Sequence, residues 1–246
     1  MKMSISEVNC LKYVVDAIDR RNIGVIVFNN IKNDNTLLKL LKEVKLNTNE
    51  TQFPDFLSGD AIVEHFSITS SRENRKGSSF KISQSKNNND VENSIEEWRS
   101  ISLSQPFEDN TVKTTVIKNT YGDFSYVNFI DSFCRNLSHH IDSLNKYDVK
   151  GRKVVFLIEL QDAPMGIYLN GKFSAFYKLC EDRNAMEVLK QYKELIDVII
   201  FKASHMIEII DIEKFDIIYD SSRYQEDVRG GRRIENKVLL NIDIKI

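Results

Sequence analysis

Long apolar runs are missing from this sequence of 246 residues. The longest, Val154–Ile158 and Val198–Phe201, fall far short of the ~20 residues a membrane-spanning helix needs. Met1–Cys10 carries Lys2 and Glu7 and has no apolar core segment, so no secretory signal is expected. Cysteine is scarce. Cys10, Cys134 and Cys180 are widely spaced and form no C-x-x-C pair, which argues against a zinc ribbon or a thiol redox motif. Their odd number fits a reducing cytoplasm in which each thiol is a small buried hydrophobe. An excess of positive charge is absent too. With a formal net charge of -2, the whole-molecule field will not draw the chain onto nucleic acid, and any such site must rest on a local basic patch. G-x-x-x-x-G-K-[ST], G-x-G-x-x-G and G-x-S-x-G do not occur, which counts against the common nucleotide-binding and hydrolase-elbow families.

What is present is ordinary for a globular chain, with 41% hydrophobic and 28% charged residues. Apolar residues at Val8, Leu11, Val14, Val15 and Ile18 predict a helix over Ser6–Asp19. Gly24–Phe28 reads as a strand, and Asp34 as the cap of a helix over Asn35–Leu46. Phe53–Leu57 and Ala61–Thr69 read as two strands joined at Ser58-Gly59, a hairpin signal. A strand over Thr111–Asn119 and a long amphipathic helix over Ser125–Tyr147 follow. A buried strand, Val154–Leu160, comes next, and the helix between these two strands is a candidate parallel crossover. Asn184–Leu195 reads as a helix, and Val198–Phe201, Met206–Ile210 and Val238–Ile244 as strands, with a turn at Arg229–Arg233. The segment at about 70–110 is rich in Ser, Asn, Lys and Arg and reads as a polar insertion, with poor order expected over Ser83–Val91. The expected fold is a single α/β domain over residues 1–246, a mixed central sheet flanked by helices.

The stretch that carries chemistry is Phe53-Pro54-Asp55-Phe56-Leu57, then Ser58-Gly59-Asp60, then Ala61-Ile62-Val63-Glu64-His65-Phe66. With an even loop, Asp55 is expected opposite Ile62 and Glu64 opposite Phe53. The two carboxylates then share one face as diagonal neighbours, roughly 7–8 Å apart at the backbone. Two carboxylates so placed can reach one hard divalent cation, which activates water and stabilises charge on a phosphate.

Pro54-Asp55, a tight turn and an acid late in the next strand resemble the PD-(D/E)XK nuclease superfamily. The resemblance implies a restriction-endonuclease-like α/β fold and Mg²⁺-dependent (or Mn²⁺-dependent) hydrolysis of phosphodiester bonds. It implies DNA as partner, in the cytoplasm, with a role in restriction or phage defence, and leaves a homodimer open. Asp55 matches the first metal-binding acid and Glu64 the second. Glu43, on the helix before the hairpin, is the reserve for the family's additional acid. The family's lysine position falls on Phe66, an apolar ring that cannot orient water. Lys76 is the nearest replacement, beside Gly77, and Lys81 the second. Without that lysine the alternative is an inactive nuclease-like module that binds nucleic acid or a protein.

Other residues have two readings each. His65 should point to the face opposite Glu64, as a structural histidine or a metal ligand. One ring of His139-His140 faces inward, and if the helix packs over the hairpin it can reach the phosphate. Glu159 ends a buried strand, which is costly unless it is paired. It either partners a basic side chain or marks a ligand site at the carboxyl end of the strand, and it is the reserve catalytic acid. Arg72, Arg75, Lys76, Lys81 and Lys86 form the main basic run, able to hold phosphates, and Arg229, Arg232 and Arg233 a smaller one.

Overall fold

A computed structural model describes residues 5–20, 25–28, 35–47, 53–71, 113–120, 124–161, 165–204, 206–225, 227–230 and 234–241. The basic run at Arg72, Arg75, Lys76, Lys81 and Lys86, the segment Ser83–Val91 and the cap Asp34 lie outside them. So do Arg232 and Arg233.

The elements in chain order are α1 (Ile5–Asp19), β1 (Val25–Phe28), α2 (Asn35–Glu43), β2 (Lys45–Leu46), β3 (Phe56–Leu57), β4 (Ala61–Ile68) and β5 (Lys113–Thr120). Then come α3 (Tyr126–Leu144), β6 (Lys153–Leu160), β7 (Met165–Leu169), β8 (Lys172–Phe176), α4 (Arg183–Lys190), β9 (Val198–Lys202) and β10 (Ile207–Asp211). α5 (Phe215–Ser221), β11 (Val228–Gly230) and β12 (Ile234–Asn241) are the last of the described elements. No described helix is long and apolar enough to cross a membrane.

Seven strands form one mixed sheet in the order β1-β10-β9-β6-β4-β3-β2. β4, β6 and β9 are parallel neighbours, and the β2-β3-β4 edge is antiparallel. β6 shows why this region reads as an unbroken apolar run. Val154, Phe156, Ile158 and Leu160 pack with Ile62, Phe66, Phe129, Phe133 and Leu137 on the α3 side. Val155 and Leu157 pack with Cys10, Val14, Leu41, Phe56 and Val63 on the side of α1 and α2. Both faces of the sheet are covered, as a parallel strand requires. α3 is held at its start by the Ser125 side chain, which accepts from Asn128 N–H.

The crossover expectation needs correcting. α3 does precede β6, but the strands parallel to β6 are β4 and β9, not β5. β5 pairs with β12 in a separate two-stranded ribbon. Strand pairing is not local: β4 lies far from β6 in sequence and is still its partner. The hairpin register also differs. Phe56 faces Val63 and Leu57 faces Ile62, so continuing the ladder brings Asp55 beside Glu64 rather than Ile62. The turn expected at Arg229 is strand: Arg229 and Gly230 pair with Gly166 and Met165.

One acid sits within this core. Glu208, on β10, is fully buried; one carboxylate oxygen accepts from Leu179 N–H at 2.6 Å, and the other has no hydrogen bond among the described residues. Burial pushes its pKa up to about 7. The folded state therefore holds this proton more tightly than the unfolded chain does. Stability is greatest below the ordinary glutamate range and falls as pH rises through about 7. Glu208→Gln removes that dependence. The variant is expected to gain about 3 kcal/mol relative to the parent between pH 5 and pH 8 in denaturant unfolding. A difference between the two proteins that stays flat over this range would refute the account.

Candidate functional site

β3 is only two residues long, so β4 outruns its partner, and two carboxylates occupy the gap. Asp55 Oδ2 accepts from the His65 backbone N–H at 2.8 Å, where a ladder carbonyl would otherwise stand. Glu64 Oε2 accepts from the Asp55 N–H at 3.1 Å. Glu64 Oε1 lies 2.5 Å from His140 Nδ1 on α3. Asp55 and Glu64 are thus brought together. The cost of that proximity is visible in Asp55, whose pKa burial first and the Glu64 charge second push up to about 6. Glu7 on α1 is also raised, by burial and then by the charge of Asp55.

Phe66 is one alternation further along β4. Its ring stacks on His140 at 4.5 Å and meets Phe156 edge-on at 5.8 Å. It belongs to the α3-side core, so the position offers no cation. The same helix face thus supplies a ring to cover Phe66 and a nitrogen to bind Glu64.

Across the sheet, toward α1, three parallel strands end in polar residues. His65 on β4, Glu159 on β6 and Lys202 on β9 stand near their carboxyl ends, the edge where α/β sheets place ligands. Lys202 Nζ is 2.5 Å from Glu159 Oε1, and His65 Nε2 is 3.3 Å from Glu159 Oε2. Burial raises the Glu159 pKa, but the nearby His65 ring and the hydrogen bond and charge of Lys202 outweigh it, and the net direction is down. Lys202 also lies 5.5 Å from the centre of the Tyr13 ring. Cys10 on α1 closes the group; burial first and then the Glu159 charge push its thiol up to about 12. The metal-binding atoms of Cys10, His65 and Glu159 all lie within 4.8 Å of one another, a cluster that could hold a metal ion.

The remaining expected residues stand apart. Glu43 is exposed on α2 and pairs with Lys39 at 3.9 Å, and no described contact joins it to Asp55 or Glu64. Arg229 pairs with Asp227 at 2.7 Å. His139 is not the inward ring; His140 is. A cleft of ≈ 720 Å³, lined by Tyr147, Arg152, Lys193 and Asp197 among others, opens at the amino end of β6, away from both groups.

Cys10, Glu7 and Lys202 were missed by sequence reasoning, though each carries a signal. Cys10, Val14 and Ala17 form the buried stripe of α1, and Glu7 extends it by three residues. Lys202 ends an apolar strand just as Glu159 does. Comparison with protein-family models, with curated proteins and with solved structures finds no match. What fold and site define is a mixed α/β protein with a histidine-bound carboxylate pair on one side of β4 and a buried Cys/His/Glu cluster on the other.

Proposed function

We propose that the chain is a metal-dependent DNA endonuclease that hydrolyses phosphodiester bonds, acting in the cytoplasm, alone or as a homodimer, in restriction or phage defence. The observation that carries the reading is the meeting of Asp55 and Glu64 at the mouth of the β3-β4 hairpin. The parallel pairing of β4 with β6, with α3 packed against them, supports the same reading.

The donor set fits a hard divalent cation such as Mg²⁺ or Mn²⁺. Each carboxylate has about four acceptor positions, and the named hydrogen bonds use only some of them. Bound there, such an ion lowers the pKa of water and offsets charge on the phosphate. His140 fixes the Glu64 carboxylate, and the His65 backbone N–H fixes that of Asp55, so both acids are oriented before any ligand arrives.

Phe66 favours a second reading, a nuclease-like module that binds without cutting, since its ring is committed to His140 and Phe156. Incubating the full chain with plasmid and linear DNA separates the two. Cleavage that requires Mg²⁺ or Mn²⁺ and stops with chelator is the expected result. DNA retention with no cleavage under any divalent ion gives the module reading, and neither binding nor cleavage ends the nuclease and leaves only a module that binds protein.

A further inference from the structure

We propose that Cys10, His65 and Glu159 form a second metal centre, one that takes a borderline divalent ion such as Zn²⁺ or Co²⁺ through sulfur, nitrogen and oxygen. The donor set itself selects the ion class. A thiolate with an imidazole suits zinc and cobalt, and magnesium takes oxygen alone.

Geometry supports a shared ion over a simple ion pair. The His65 side chain is 4% exposed, and its Nε2 makes no hydrogen bond among the described residues. That nitrogen nevertheless lies 3.3 Å from Glu159 Oε2, close in distance but outside hydrogen-bond geometry. Tetrahedral coordination at ordinary zinc distances sets a nitrogen and an oxygen ligand about 3.4 Å apart. The two atoms thus have the spacing of neighbours on one ion. Glu159 divides its oxygens to match, with Oε1 bound by Lys202 and Oε2 turned toward His65. Lys202 acts there as the outer-shell group that fixes a ligating carboxylate.

The three ligands come from α1, β4 and β6, elements already packed into one core, so the site forms with the fold. Three protein ligands leave one tetrahedral position for water or substrate, the pattern of catalytic rather than closed structural zinc sites. Binding replaces the thiol S–H bond with a metal–sulfur bond and releases that proton to solvent. Asp55 and Glu64 supply none of these ligands, so this centre stands or falls independently of phosphodiester cleavage.

Cobalt(II) titration of the chelator-treated full chain tests the proposal. One equivalent is expected to bind with a near-ultraviolet thiolate charge-transfer band and visible bands of tetrahedral intensity. Cys10→Ser is expected to remove the thiolate band, whereas Cys134→Ser, at a half-buried thiol outside the cluster, keeps it. His65→Ala and Glu159→Gln should each weaken binding by at least the roughly 10–100-fold seen when an outer-shell partner is lost. If Cys10→Ser loses its far-ultraviolet circular dichroism, Glu159→Gln, which keeps side-chain volume, carries the test. Absence of a thiolate band in the parent, a band that survives Cys10→Ser, or unchanged affinity in Glu159→Gln overturns the site.

Discussion

Asp55→Asn is expected to lower Mg²⁺-dependent or Mn²⁺-dependent DNA cleavage by about 10²–10³-fold, the loss typical of one preorganised electrostatic contact, while leaving the fold as stable or more stable. The two halves follow from the same geometry. The asparagine oxygen can still accept from the His65 N–H, so the cap on β4 persists. The negative charge that burial and Glu64 disfavour is gone, so the repulsion seen in the raised Asp55 pKa is relieved. A site residue that costs stability is common where function requires like charges together. Glu64→Gln should lose cleavage similarly but gain nothing in stability, because it gives up a charge-assisted contact with His140. Undiminished cleavage in Asp55→Asn would take Asp55 out of the site. Cleavage lost together with a large fall in the unfolding midpoint would instead assign the residue to capping alone.

Much of the fold was legible because its signals are local. The stripe of Phe129, Phe133, Leu137, Ile141 and Leu144 places α3 within a few residues, and the apolar run of β6 marks a strand buried on both faces. Other signals were present and overlooked. Asn170-Gly171 joins β7 to β8, and both residues take positive φ, 51° and 74°, as a tight hairpin turn asks. That dipeptide is the strongest short hairpin signal in the chain. β5 failed for a different reason. Strand identity is local, but its partner is not, and no pattern within Lys113–Thr120 says that it pairs with β12.

The candidate site divides along the same line. Asp55 and Glu64 are joined by a short hairpin, so loop parity alone brings them near one another. The facing of His65 away from Glu64 also follows from alternation, and Glu159 does partner a basic side chain. Cys10 meeting His65 and Glu159 depends on three things no short window contains: the packing of α1 on the sheet, the parallel pairing of β4 with β6, and a register that sets His65 against Leu157 and Ser67 against Glu159. A polar residue within an apolar stripe was the one sequence trace of that meeting. A buried cysteine is more often a plain hydrophobe, so the trace alone could not decide.

The largest stability loss is expected at Asp182, where Asp182→Ala should cost about 2–4 kcal/mol in urea unfolding. Its side chain is fully buried, and burial raises its pKa against the pull of its donors. One oxygen accepts from Tyr177 OH at 2.7 Å, and Tyr126 OH lies 2.8 and 2.7 Å from the two oxygens. The same carboxylate caps α4, accepting from Asn184 N–H at 3.0 Å and Ala185 N–H at 3.4 Å. Truncation removes a helix cap, worth about 1 kcal/mol. It also strands the hydroxyl of Tyr177, a side chain with no route to solvent, at about 1–3 kcal/mol. Tyr126 opens α3, so this network fixes the start of the helix whose later turn delivers His140 to Glu64. Asp182→Asn should cost clearly less, since one amide oxygen still accepts. Its loss should also grow in the background of Tyr177→Phe by less than the sum of the two single changes, as contacting residues require. A cost under about 1 kcal/mol for Asp182→Ala, or simple additivity with Tyr177→Phe, would show that the tyrosine hydroxyls find other partners and that the network does not hold α3 in place.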